Sequence, residues 1–351
     1  MERSKLYDRI AGCLMAGALG DALGYAIEFS GWSSIQRRYG EDGIRAMPVE
    51  GDGKARISDD TQMTLFPNEG MVLGYWRADA RGIGAEVEYY IYHAYLCWYM
   101  TQGCRPPERP LWEPVSKLLQ TPELNTRRAP GNTCLAALSS GKMGSVDEPV
   151  NNSKGCGGVM RTAPLGFMRC WGSALEKGAE AAAITHGHPG GWAPAGMLSD
   201  MVQRLVYDDS DAPLKDVVLA SLQATEERWD LPGVHNFAEM VNKAVQYSAT
   251  DMQDVAAIHA LGGGWVGDEA LAIAVYSCLK HPDDVKAALI SAVNHSGDSD
   301  STGAIAGNIL GAKLGLSALP KDWIDQLELT DVILKQAELM TDAAAHSLHL
   351  S

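Results

Sequence analysis

Gly297-Asp298-Ser299-Asp300-Ser301-Thr302-Gly303, running into Ala304–Leu314, is one of two acidic clusters in this chain. The other is Ser58-Asp59-Asp60-Thr61, running into Gln62-Met63-Thr64-Leu65. Each stands where a loop enters a helix. One carboxylate in such a place is an ordinary cap, accepting an orphan N–H at the positive end of the helix dipole. A cap needs one side chain, however, and each cluster carries two aspartates with hydroxyls beside them. Four carboxylates packed together repel unless a cation neutralises them. If the clusters converge, the chain closes on itself as a single domain over residues 1–351 rather than splitting near residue 150. The donors are oxygens, with His295 the only nearby His or Cys, which suits Mg2+, Mn2+ or Ca2+ better than zinc. Asp298-x-Asp300-x-Thr302-Gly303 begins like an EF-hand loop, but the twelfth position, where a bidentate Glu belongs, is Ile309, so that reading fails.

Outward from these clusters, helical periodicity dominates and strand alternation is scarce, which makes the chain all-α. Content of Ala, Leu, Met and Glu predicts helices over 5–28, 59–66, 83–101, 174–185, 193–207, 236–247, 254–261, 268–279, 282–293, 302–314 and 330–346. Pro67 is expected to kink or end the helix that follows the first cluster. Loops rich in Gly, Pro, Asn or Ser fall at 31–58, 104–114, 121–131, 141–158 and 187–191. The segment 29–57 is long for a structureless connection, as a lid or binding loop would be.

A third acidic element lies near the start, in Gly17-Ala18-Leu19-Gly20-Asp21-Ala22-Leu23-Gly24-Tyr25-Ala26-Ile27-Glu28. Gly17, Gly20 and Gly24 leave one helix face nearly bare backbone, as close helix–helix packing requires. Asp21 and Glu28, seven apart, lie on similar faces of that helix and would reach toward whatever approaches it.

Composition removes other classes. The 351 residues carry 44 Asp and Glu against 29 Lys and Arg, a net charge of −15, which argues against binding an extended nucleic-acid backbone. Seven unpaired-looking cysteines fit reduced thiols better than a disulfide framework. No apolar run is long enough to span a bilayer, and the first residues lack the apolar stretch of a secretory signal. The expectation is a cytoplasmic protein with no membrane partner.

The motifs together resemble the ADP-ribosylglycohydrolase family, which includes the dinitrogenase-reductase-activating glycohydrolase and the ADP-ribosylarginine hydrolases. The resemblance covers roughly residues 8–315 in the family's order. Gly17–Glu28 is similar to its N-terminal element, and Ser58–Thr64 to its first metal motif. Arg128-Ala129-Pro130-Gly131-Asn132-Thr133 resembles an active-site loop. Asn152-Ser153-Lys154-Gly155-Cys156-Gly157-Gly158-Val159-Met160-Arg161 resembles the glycine-rich loop for phosphate and ribose. Thr185-His186-Gly187-His188-Pro189 resembles a Thr-His-x-His-Pro turn, and Gly297–Gly303 the second metal motif.

The resemblance implies a compact, orthogonal multi-helix bundle with a central di-metal cleft, holding two Mg2+ ions for which Mn2+ could stand in. Its metal ligands carry over to Ser58, Asp59, Asp60, Asp298, Asp300 and Ser301. Glu28 matches the family's mobile acid, and Glu28, Asp59, Asp60 and Asp300 form the implied catalytic set. Substrate contacts would come from Asn132, Ser153, Lys154, Gly155, Cys156, Gly157 and His186; Cys156 stands where some members have Asn. Trp265, in Gly262–Gly267, or a Tyr would stack on adenine. The implied reaction releases ADP-ribose from a modified protein, with arginine as the expected linkage and a cognate ADP-ribosyltransferase as a second candidate partner. Two other readings stand beside it: an antidote that neutralises such a transferase by reversal or direct binding, and a different metal-dependent phosphoester hydrolase. A full acidic set favours catalysis, because a pure binder does not need every ligand.

Overall fold

The structure, a computed structural model, describes residues 1–84, 86–207 and 212–350. Helices account for the architecture, and among the described residues the only β pairing is two isolated bridges, Ala55 with Leu327 and Gly155 with Val266. In chain order the helices are α1 (Arg3–Tyr25), α2 (Trp32–Tyr39), α3 (Asp59–Arg81), α4 (Val87–Thr101), α5 (Asn132–Ser139), α6 (Ala174–Ala183), α7 (Pro189–Tyr207) and α8 (Leu214–Arg228). They continue with α9 (Pro232–Ser248), α10 (Asp254–Leu261), α11 (Gly267–Lys280), α12 (Val285–Val293), α13 (Ser299–Leu314), α14 (Lys321–Gln326) and α15 (Thr330–Ser347). No helix among the described residues is long and apolar enough to cross a membrane.

Chain-distant helices α1 and α13 form the centre. A Cβ added at Gly12 would lie 2.5 Å from the Gly311 carbonyl oxygen, and one at Gly24 would lie 2.2 Å from that of Ser299. Between them Gly307 faces the Ala16 carbonyl and Gly20 faces Gly303. Steps of four run up one helix and down the other, so the pair is antiparallel and joined backbone to backbone. This is the close packing that the glycine spacing predicts. Asn308 adds a side-chain tie, its Nδ2 donating to the Cys13 carbonyl at 3.0 Å.

Around this pair the core is filled by large buried side chains, among them Trp98 on α4, Trp192 on α7, Tyr276 on α11 and Phe66 on α3. Helix α3 corrects one expectation. It runs through Pro67 to Arg81, because almost every residue from Asp59 to Val72 is buried and packing outweighs one missing backbone donor. The long segment 29–57 is also better ordered than a bare loop. It contains α2 and is tied down by Trp32 N to Ser296 Oγ at 2.7 Å, by Ile44 N to Asn294 Oδ1 at 2.8 Å and by Ala55 N to the Gln326 carbonyl at 2.7 Å.

Candidate active site

Both acidic clusters begin as helix caps, each using one residue. Ser58 caps α3, its Oγ accepting from Asp60 N at 3.1 Å. Asp298 caps α13, its Oδ1 accepting from Ser301 N at 3.2 Å. Asp59, Asp60 and Asp300 are therefore surplus to capping. They are 5, 3 and 3 % exposed, and none makes an ion pair among the described residues. Asp59 Oδ2 accepts from Gly131 N at 3.2 Å, tying the first cluster to the start of α5. Asp300 Oδ1 accepts from Ser301 N at 3.0 Å. Asp60 Oδ2 and Glu28 Oε2 are buried with no hydrogen-bond partner.

The antiparallel α1–α13 pair joins the clusters. Burial first, then the charges of Asp21, Glu28 and Asp298, hold Asp59 well above the usual carboxylate range. Burial also leads for Asp60, followed by the charges of Asp21, Asp59 and Asp298. Asp300 is raised by burial and then by Asp60, Asp298 and Glu28. Glu28, in the turn after α1, is pushed up to about 8 by burial and then by the charge of Asp298. The charge of each cluster thus bears on the other.

Asp21 has a role that sequence reasoning missed. It does not open into the cluster but grips the loop that carries it. Fully buried on α1, it accepts from Ser58 N at 3.0 Å on both oxygens, from Thr61 N at 3.0 Å and from the Thr61 hydroxyl. Burial nonetheless raises it to about 6, partly countered by these hydrogen bonds. The neighbouring glycine was the available signal: a carboxylate beside a helix–helix seam can reach only what crosses that seam.

The glycine-rich loop borders the second cluster. Cys156–Gly158 make a single 3-10 turn, held by Cys156 N to the Trp265 carbonyl at 3.2 Å and Gly267 N to the Lys154 carbonyl at 2.8 Å. Ser153 Oγ and Thr133 Oγ1 are 3.3 Å apart, and Lys154 Nζ reaches Asp268 Oδ2 at 3.4 Å. Cys156 Sγ donates to Asp298 Oδ2 at 2.6 Å, joining the loop to the second cluster. Asn132 is exposed in the first turn of α5. His186 is 1 % exposed and lies beneath the loop, where a Cβ on Gly155 or Gly157 would come within 3.3 and 3.4 Å of its Nε2. Its Nδ1 pairs with Thr185 Oγ1 at 2.8 Å. Burial, then the charge of Arg161, lowers it to about 3, so this imidazole is neutral and props the loop.

A cation fits the donor set by chemistry: hard oxygens, crowded carboxylates and two orphaned buried oxygens. Among the described residues, however, no group of three His, Cys, Asp or Glu side chains stands in a metal-holding arrangement. Of these acids Asp298 caps a helix, Asp59 and Asp300 accept from backbone N–H groups, and Asp60 Oδ2 and Glu28 Oε2 are left without a partner.

Comparison with known proteins comes to the same place. The family model described as ADP-ribosylglycohydrolase matches residues 2–348. The chain is 25 % identical over 338 residues to the ADP-ribosyl-[dinitrogen reductase] glycohydrolase of Rhodospirillum rubrum, covering 94 % of this chain and 93 % of that one. It is 26 % identical over 326 residues to an uncharacterised protein of Archaeoglobus fulgidus, covering 92 % of each. A solved structure titled ADP-ribosylglycohydrolase-related protein complex shares the fold, with a TM-score of 0.62, 21 % identity, and coverage of 97 % of this chain and 99 % of that one.

Proposed function

Since the chain belongs to the ADP-ribosylglycohydrolase family and is a glycohydrolase, we propose that it releases ADP-ribose from modified arginine on a protein, using two Mg2+ ions. One observation supports this most: four buried aspartates, Asp59 and Asp60 on α3 with Asp298 and Asp300 at the start of α13, make no ion pair among the described residues, and Asp298 is bonded to a glycine-rich loop.

In this reading Asp59, Asp60, Asp298 and Asp300 would hold the ions, with the hydroxyls of Ser58 and Ser301 completing the donor set. When bound, such ions lower the pKa of a water and orient the ribose hydroxyls. The reaction breaks the bond between the anomeric carbon and the guanidine nitrogen. Water oxygen bonds to that carbon, and one proton passes to the departing nitrogen through an oxocarbenium-like state. Glu28 supplies the proton carrier, since its Oε2 is buried without a partner. Backbone N–H groups of Lys154, Gly157 and Gly158 would cradle the diphosphate, where glycine permits close approach, Gly155 N and Cys156 N being held by Ser153 Oγ and the Trp265 carbonyl. Ser153 and Asn132 stand on the same side, and His186 and Cys156 fix the loop's position.

Arginine is favoured by the character of the leaving group. A guanidinium is cationic and suits an acidic chain, with 44 Asp and Glu against 29 Lys and Arg, better than a neutral serine hydroxyl does. The likeness to the ADP-ribosyl-[dinitrogen reductase] glycohydrolase supports a protein as the modified target. The test is parallel release from arginine-, serine- and nucleobase-linked ADP-ribose with equal enzyme and Mg2+. Arginine should be cleaved fastest. Serine release faster by tenfold, about 1.4 kcal/mol in barrier, would end the arginine assignment and leave the glycohydrolase assignment standing.

A further inference from the structure

Phe29 and Trp265 stack on one another, with ring centroids 5.4 Å apart and planes 22° apart. Both are open to water, 70 and 43 % exposed, whereas Trp98, Trp192 and Tyr95 are buried in the core. Two large rings left together at the surface mark a place of contact more often than a need of the fold. Phe29 also has a φ of 62°, a left-handed conformation that is strained for a bulky side chain. Strain of this kind persists where the surroundings impose it, commonly beside a site.

The pair's position is fixed by its backbone. Phe29 directly follows Glu28, whose Oε2 is orphaned. Trp265 follows Gly264, where an added Cβ would lie 3.2 Å from the Asp298 carbonyl oxygen. Gly263 and Gly264 are in turn held by Glu269 Oε2 at 3.0 and 3.1 Å. The rings therefore form a rim on the side of the carboxylates and of the proton carrier. Trp265 also borders the glycine-rich loop, its carbonyl accepting from Cys156 N at 3.2 Å, so the pair links that loop to Glu28.

We propose that the outer face of the Phe29–Trp265 stack receives the guanidinium of the target arginine. The inference rests on the arginine reading above and names the residues that would discriminate for it. Aromatic faces are electron-rich and attract a planar cation, with tryptophan the strongest. An N-glycosylated guanidinium keeps its positive charge, so it meets these rings before and during cleavage. Uniform binding of that kind shows chiefly in KM.

The experiment uses the full chain with Mg2+ and the small substrate ADP-ribosyl-agmatine, with free ADP-ribose as competitive inhibitor. Trp265→Ala should raise KM about three- to tenfold, while the inhibition constant of ADP-ribose, which has no guanidinium, stays within twofold. Trp265→Phe should recover most of the loss, since a ring remains. Melting curves check that each variant folds. An unmoved KM overturns the proposal. So does a parallel rise in the ADP-ribose inhibition constant, which would make the pair an adenine seat or a structural brace. Failure of the wild-type protein to cleave the agmatine conjugate would instead remove the arginine reading itself.

Discussion

Gly20 and Gly303 face each other backbone to backbone: a Cβ on Gly20 would fall 2.0 Å from the Gly303 carbonyl oxygen, and one on Gly303 2.4 Å from that of Gly20. The contact sits one residue from Asp21 and three from Asp300, so the same approach that packs α1 on α13 sets the separation of the acidic elements.

Gly20→Ala should therefore cost about 1–3 kcal/mol, as inserting a methyl into a closed seam does. Activity should fall further than the lost stability explains, because the helices must part where the acids meet. Thermal melts and a release assay run below the variant's own midpoint check this. A melting temperature within about one degree of wild type would mean that the seam yields to a methyl group and does not hold the helices at this distance.

Asp21→Asn keeps the shape of the side chain but turns one acceptor into a donor that faces the N–H groups of Ser58 and Thr61. A buried donor left opposing donors costs about 1–3 kcal/mol. The Ser58–Thr61 loop should loosen and the Mg2+ concentration for half-maximal activity should rise. Unchanged metal dependence would remove Asp21 from its positioning role.

Asp298→Ala combined with Asp300→Ala should abolish hydrolysis without unfolding the protein. Mutual repulsion among buried carboxylates is relieved, so the melt in EDTA should hold or move upward, apart from the lost cap on α13, about 1 kcal/mol. Wild-type protein should gain from Mg2+ by mass action, about 2.7 kcal/mol at a hundred times the dissociation constant. The double variant should gain almost nothing. A wild-type midpoint indifferent to EDTA and to millimolar Mg2+ would contradict the cation reading.

The pH dependence of the metal-free protein has a definite sign. Between an ordinary value of 4.5 and about 8, folded Glu28 keeps a proton that the unfolded chain has lost. Stability from that group therefore falls as pH rises through the window. Asp21 acts likewise between 3.8 and about 6. His186 and His295 act oppositely. Both are depressed from 6.5, to about 3 and about 4, chiefly by burial, so stability falls as pH drops below 6.5. In EDTA the melting temperature should rise as pH is lowered from 8 toward 6.5, then flatten or turn over. A midpoint as high at pH 8 as at pH 6.5 would contradict the shifts. Saturating Mg2+ should weaken the first slope, because a bound cation favours the ionised acids.

Much of the fold is readable where local pattern and tertiary demand agree. Periodicity locates α10 at 254–261 to the residue and finds α11 and α15 within a residue or so at each end. It stops α3 at residue 66, because proline chemistry is local while the burial that overrides it is not. Helix α2 lies in a segment read as a loop, and α5, between two such loops, goes unassigned. Each is eight residues long and starts at a glycine with no side-chain cap. Helix α8 goes unassigned for a similar reason: Pro213 precedes it and offers no side-chain cap.

The site is legible unevenly. Paired aspartates announce themselves, since doubling exceeds what capping needs. Asp21 does not, because one carboxylate looks the same whether it faces a ligand or a buried backbone. His186 is equally silent in sequence: its place beneath Gly155 and Gly157 depends on how the turn at 185–189 folds back against α7. The Phe29–Trp265 stack joins residues from distant parts of the chain that no local pattern connects.

The antiparallel seam of α1 and α13 also sets a clock on the chain's own synthesis. Asp21 and Asp60 emerge from the ribosome long before Asp298 and Asp300, and α1 has nothing to close against until α13 is made. The nascent chain must shelter a helix whose glycine face is bare, with its early carboxylates unmatched. Cleavage competence therefore arrives in one late step, when α13 slides into place, and any product terminated before it should be inert however well its other helices have formed.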